Sequence, residues 1–137
     1  MQIKIRVVSQ NRPLFEGDAF SINVPSKEGK ITILPQHAEL ISLLDIGELT
    51  INQDSSQERT QILVNGGIVY VKKDEVLVLA DDAAMPHELT KHEIEEAIKN
   101  AMEEISGELP PTLFIQLEKQ LKFAMFKKSF LENVSLK

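Results

Sequence analysis

The chain has 137 residues, a formal net charge of −6, 42% apolar residues and no cysteine. That length suits one domain, or one with a small appendage, and the missing cysteines exclude disulfides and thiolate metal sites. No run approaches the ~20 apolar residues of a membrane-crossing helix, and the acidic balance disfavours nucleic acid, which is bound by basic stripes.

The first residues alternate as a strand does (Ile3, Ile5 and Val7 against Lys4 and Arg6), unlike a signal or transit peptide. Period-two patterning continues through residues 1–87: Phe20, Ile22 and Val24, then Ile31/Ile33, Leu49/Ile51, Ile68/Tyr70 and Val76/Val78. Turn signals are expected at Glu16-Gly17-Asp18, Gln53-Asp54-Ser55-Ser56, Gly66-Gly67 and Lys73-Asp74-Glu75. Many short strands at near-regular spacing predict a β-sandwich or barrel. Gly66-Gly67 interrupts an apolar run, which predicts a bulge or a close backbone approach and not a phosphate cradle.

After Pro86 the period changes to that of a helix. Thr90-Lys91-His92-Glu93 has the form of a capping box, in which a hydroxyl takes an orphan N–H and the Glu reaches back. Ile94, Ala97, Ile98, Ala101, Met102 and Ile105 recur on one face, giving a helix over about 91–105 that ends near Gly107. Pro110-Pro111 blocks continuation, so a second helix over about 112–133 folds back as an antiparallel hairpin. The expected division is therefore a sandwich over 1–87 and a helical hairpin over 88–137.

In the second helix Leu113, Phe114, Leu117, Leu121, Ala124 and Met125 share a face suited to the first helix. Phe123, Phe126, Phe130 and Val134 lie on another, flanked by Lys119, Lys122 and Lys127, and one helical neighbour does not cover both. Either the sandwich covers that second stripe or a partner does. Charge is split too. Seven acids and two lysines lie from Glu88 to Glu108, against five lysines and two acids from Leu109 onward.

Two segments carry a family resemblance. Gly29-Lys30-Ile31-Thr32-Ile33-Leu34-Pro35-Gln36-His37-Ala38 is followed by Asn65-Gly66-Gly67-Ile68-Val69-Tyr70-Val71 and Val76-Leu77-Val78-Leu79-Ala80-Asp81. Together, ahead of a helical tail, they resemble the epsilon subunits of F-type (rotary) ATP synthases. The resemblance spans most of Ile3 to Ala84 and weakens in the helices. It implies a noncatalytic rotor subunit: a sandwich at the foot of the central stalk that binds the gamma subunit and touches the c-subunit ring. Such a subunit couples proton flow to ATP synthesis and lies, through the complex, on the cytoplasmic face of the bacterial plasma membrane.

By position, the resemblance places partner contacts in Glu28, Gly29 and Lys30 and in Gln36, His37 and Ala38. Lys30 stands where some relatives carry an acid, and Gln36 where many carry Gly. The resemblance also implies a hairpin that opens into the catalytic head and blocks hydrolysis, reaching an acidic loop of the beta subunit. Lys119, Lys122, Lys127 and Lys128, with Phe123, Phe126 and Phe130, would act there, since complementary charge steers docking.

Some bacterial relatives bind ATP through Ile/Leu-Asp-x-x-Arg-Ala at the first helix start. Here Leu89-Thr90-Lys91-His92-Glu93-Ile94 replaces the Asp, Arg and Ala, and no Arg follows Arg59. A forked guanidinium for phosphate is missing, so no ATP site and no cofactor are expected. Two other readings compete. A stand-alone β-sandwich binding a small ligand needs a concave site with convergent polar groups. A metal-dependent hydrolase needs Asp81, Asp82 and His87 to converge, yet adjacent strand residues point to opposite faces.

Overall fold

The alternating residues pair into seven strands and a short eighth. In the computed structural model, which describes residues 2–10, 12–53 and 59–135, these are β1 (Ile3–Ser9), β2 (Arg12–Ala19), β3 (Ser21–Ser26), β4 (Gly29–Ile33), β5 (Leu40–Asn52), β6 (Arg59–Lys72), β7 (Glu75–Ala80) and β8 (Ala83–Ala84). Two helices follow, α1 (Lys91–Ile105) and α2 (Pro111–Ser135). The chain divides into two compact units at Met85/Pro86.

Hydrogen bonds run through the strands in the order β2-β1-β7-β6-β5-β3-β4, with β8 on β6. All pairs are antiparallel except β1 with β7. The path curls into a β-sandwich whose inward faces meet. Ile3, Ile5 and Val7 of β1 join Ile22, Val24, Ile33, Leu44, Leu49, Ile51, Val69, Val71, Val76 and Val78 in one buried core. A fully buried aliphatic side chain stabilises by roughly 1.5–3 kcal/mol, and a one-residue slip of any strand would turn its set outward. The core therefore fixes the register. β2 and β4 close the two ends of the path.

β5 and β6 form one long ribbon, paired from Leu40↔Val71 to Asn52↔Arg59. Within β6, Gly66 (φ 80°) and Gly67 (φ 129°) take positive φ. A Cβ on Gly67 would lie 2.1 Å from the Leu79 carbonyl oxygen, so β7 passes where only hydrogen fits. The two glycines thus stand at a close backbone approach inside a continuous strand.

Two turn expectations fail. Gly66-Gly67 lies within β6 and makes no reversal. Glu16, Gly17 and Asp18 are strand residues, paired with Arg6, Ile5 and Lys4. Gln10 (φ 45°) is a turn residue between β1 and β2, and Phe20 carries the bend after β2. On an edge strand, a glycine and two acids tolerate the pleat because one side faces solvent. Lys73 (φ 54°) and Asp74 make the β6–β7 turn. Of the signal at Gln53-Asp54-Ser55-Ser56, the last three residues lie outside the described residues.

Thr90 caps α1, its Oγ1 accepting from the Glu93 N–H at 3.4 Å. Ser106 ends the helix, its N–H donating to the Met102 carbonyl and its hydroxyl to that of Glu103. Pro111 takes the first position of α2, where a missing N–H costs nothing. α1 and α2 pack together as a hairpin.

Gly67→Ala should destabilise the sandwich by more than about 3 kcal/mol, because it adds both a backbone clash and left-handed strain. Thermal denaturation followed by circular dichroism checks this; a loss under about 1 kcal/mol would mean that β7 can move away.

Candidate functional site

The outer face of β5, β6, β7 and β1 is the candidate interface. Cross-strand partners share a side of the pleat, so the registers define rows. One row runs Ile41, Tyr70, Leu77, Arg6, Glu16. The next runs Leu43, Ile68, Leu79, Val8, Pro13. Ile41 is 69% exposed and Leu43 55%, and Ile68, Tyr70 and Leu79 are also exposed. Two adjacent rows thus hold large apolar side chains in water. Soluble surfaces seldom carry a contiguous patch of this kind without a partner.

A third row is charged and alternates in sign: Lys72, Glu75, Lys4, Asp18. Between it and the apolar rows lies an open depression of about 300 Å³, lined by Lys4, Arg6, Tyr70, Lys72, Glu75 and Leu77 among others. The face is thus apolar in the middle and charged along one side, as protein interfaces are. The sequence pattern held a signal for it. Ile68-Val69-Tyr70-Val71 and Val76-Leu77-Val78-Leu79 are apolar at both parities, so one parity fills the core and the other has to face outward.

The two predicted contact loops flank the start of β5. Lys27 and Glu28 make the β3–β4 turn, with Gly29 (φ 120°) opening β4, and the Glu28 N–H donates to Ser26 Oγ at 3.1 Å. The Lys27 N–H donates to the Leu43 carbonyl at 3.0 Å, which ties this turn to the apolar row. Glu28, Gly29 and Lys30 are all exposed.

Gln36 takes a left-handed conformation (φ 65°), which explains why glycine would suit that position. Its N–H donates to Asp74 Oδ1 at 2.8 Å, and the Asp74 carbonyl accepts from the Lys4 N–H at 2.8 Å. One turn residue therefore fastens the Pro35 loop to the start of β1. His37 is half-buried, its Nδ1 2.7 Å from the Ala38 carbonyl, and Ala38 is exposed. Asp82 Oδ1 accepts from the Ala83 N–H, and no three carboxylate or imidazole groups converge on a metal-sized site among the described residues.

The hairpin corrects the expected helix faces. Leu117 and Ala124 are buried and Leu121 half-buried, whereas Leu113, Phe114 and Met125 are exposed. Phe123, expected on an unmatched stripe, is only 2% exposed, and Phe126 and Phe130 are half-buried. For Leu113 and Phe114 the physical reason is reach: α1 has 15 residues and α2 has 25, so α1 runs beside only part of it. The lysines are mostly engaged. Lys122 Nζ lies 2.9 Å from Glu118, Lys127 Nζ stands 4.4 Å over the Phe123 ring, and Lys119 also has a partner. Among the described residues no helix is long and apolar enough to cross a membrane.

Comparison with known proteins decides the family. Residues 2–86 match the model of the ATP synthase, Delta/Epsilon chain, beta-sandwich domain. The chain belongs to this family. It is 37% identical over 106 residues to the ATP synthase epsilon chain of Prochlorococcus marinus (strain MIT 9515), covering 77% of this chain and 78% of that one. It is 30% identical over 132 residues to the epsilon chain of Alkalilimnicola ehrlichii, covering 96% and 94%. The sandwich-plus-hairpin fold recurs in a chain of the Euglena gracilis mitochondrial ATP synthase, with a TM-score of 0.77 at 20% identity, over 95% of this chain and 81% of that one. It recurs also in the central stalk/c-ring structure of the Tetrahymena thermophila enzyme, with a TM-score of 0.64 at 14% identity, over 93% and 97%.

Gln36→Gly should relieve the left-handed strain at the Pro35 turn and keep the backbone bond to Asp74. The expected gain is about 1 kcal/mol, or a few degrees in Tm. Calorimetry of the full chain reads it; an unchanged or lower Tm would show that the Gln36 side chain contributes packing that outweighs the strain.

Proposed function

We propose that this family member is the noncatalytic epsilon subunit of a proton-translocating rotary ATP synthase. It turns with the central stalk and transmits torque between the c-subunit ring and the gamma subunit. The observation that carries the reading is the pair of apolar rows, Ile41/Tyr70 with half-buried Leu77, and Leu43/Ile68/Leu79, largely left in water by a chain of this family. We assign that face to gamma. Glu28, Gly29 and Lys30, with Gln36, His37 and Ala38, border it at the start of β5 and meet gamma and the ring. The relatives' name and the c-ring assemblies of the structural neighbours support the assignment. In a bacterial cell the complex would hold the subunit on the cytoplasmic face of the plasma membrane.

The hairpin is assigned to regulation: its α2 restrains ATP hydrolysis by reaching the catalytic head, where an acidic loop of the beta subunit would meet the lysines. Phe123 is covered here and Lys122 and Lys127 are engaged, so docking elsewhere first requires Phe123 to leave its cover. Exposed ion pairs are worth only roughly 0.2–1 kcal/mol each. Apolar contact by Phe123, Phe126 and Phe130 therefore supplies most of the docking energy, at about 25 cal/mol per Å². Lys119, Lys122, Lys127 and Lys128 steer the approach.

Leu43→Asp should weaken gamma binding at least tenfold, about 1.4 kcal/mol, with the Tm of the free chain unchanged, because the side chain already faces water. Isothermal titration with the cognate gamma subunit measures it. Equal affinities for Leu43→Asp, Ile68→Asp and the parent chain would remove this face from the interface. Complete failure of gamma to bind the parent chain would sink the rotor reading.

Ending the chain after Gly107 should leave assembly intact and raise ATP hydrolysis by the assembled enzyme. Lys-to-Glu changes in α2 should give a smaller rise that depends on salt. Hydrolysis that stays the same at every nucleotide concentration would leave α2 with a structural role only.

A further inference from the structure

The first turns of α2 have no covering helix. A slot of about 200 Å³ is lined by Lys91 and Ile94 of α1 and by Lys128 and Leu131 of α2, which sets these residues at one level. Both helices rise ~1.5 Å per residue. Ile105, the end of α1, then comes level with Leu117, the first buried residue of α2. Residues 111–116 run past it, and all are exposed. Leu113, Phe114 and Ile115 are consecutive among them, Ile115 at 64% exposure, and Met102 of α1 is exposed as well. Three exposed apolar residues in a row are a fault in a free surface and an asset in an interface.

Charge indicates what covers them. Glu103, Glu104 and Glu108 are exposed and make no ion pair among the described residues. No Lys, Arg or His occurs between Lys99 and Lys119. Glu103 and Glu104 sit in the last turn of α1, where unsatisfied carbonyls already make the helix end negative. That placement is unfavourable in the free chain and becomes favourable beside a cation.

We infer that this elbow docks on a protein surface of the assembled enzyme that presents apolar side chains ringed by Lys and Arg. The same carboxylates repel an anionic lipid surface. The inference rests on the reading of the chain as a rotary ATP synthase subunit. It adds a contact separate from both the sandwich face and the Phe123 stripe.

Because the chain has no cysteine, Ile115→Cys can carry a benzophenone maleimide as the only label on it. The labelled full chain is assembled into the purified enzyme and photolysed, and the adduct is located by mass spectrometry. An adduct on a segment of another subunit with net positive charge is expected. Its yield should fall at least threefold when Glu103, Glu104 and Glu108 are changed to Gln, while that free variant melts at the same or a higher temperature. An adduct on this chain's own sandwich, on lipid or on a neutral or acidic segment would overturn the proposal. So would a yield no greater than from a Lys99→Cys control, or one indifferent to the Gln changes. Assembly of the unlabelled chain, measured first, separates failure of the rotor reading from failure of this one.

Discussion

The approach of β7 to Gly67 is the constraint on which the sandwich depends. At that point the Leu79 carbonyl occupies the space of a side chain, so β7 can pair in register from Gly67↔Ala80 to Lys72↔Glu75. β1 then adds to the far side of β7 in parallel, Lys4↔Glu75 to Ser9↔Ala80. The inward residues of three strands meet Leu44, Leu49 and Ile51 in the core. Their outward residues necessarily align into the rows that make the candidate interface. A single missing Cβ thus supports both the core and the surface opposite it.

Much of this was legible in the chain. Period two in Ile3/Ile5/Val7 and Val76/Val78 marks residues that are buried, and period 3.6 after Thr90 marks the helices, because burial imposes those periods directly. The Gly66-Gly67 reading held for the same reason, since glycine pairs inside apolar runs have few other uses. Glu16-Gly17-Asp18 misled because an edge strand tolerates residues that elsewhere signal a turn. The faces of α2 misled because periodicity reports which residues align and not how far the neighbouring helix extends. Leu113 and Phe114 align with Leu117, but only Leu117 is covered. The outer apolar face went unread since alternate parities in β6 and β7 are both apolar, and one parity was enough to fill the core.

Local electrostatics divides the two units differently. On the sandwich, charges of opposite sign stand opposite each other across Lys72, Glu75, Lys4 and Asp18, so the face carries little net field beyond a Debye length of ~8–10 Å. In the hairpin the signs are largely segregated along the chain, seven acids and two lysines from Glu88 to Glu108 and five lysines and two acids from Leu109 onward. Apolar contact is therefore the main attraction available to the sandwich, while charge at the hairpin can also select among partners. The engaged state of Lys122 and Lys127 shows that the segregation is partly absorbed within α2 itself.

The two ends of the strand path bear on the fate of a copy that has not found its complex. Open sheet edges are templates on which other chains can grow by strand addition. Here one edge is β2, with Pro13 lacking an amide donor and with Arg12, Glu16 and Asp18 exposed; the other is β4, only five residues long. Polymerisation by backbone pairing is thereby discouraged even though two rows of aliphatic and aromatic groups stand uncovered. The sheet can thus present a sticky surface broadside while its flanks stay closed, and a surplus of free subunit should meet its end by proteolysis or chaperone capture sooner than by fibril growth.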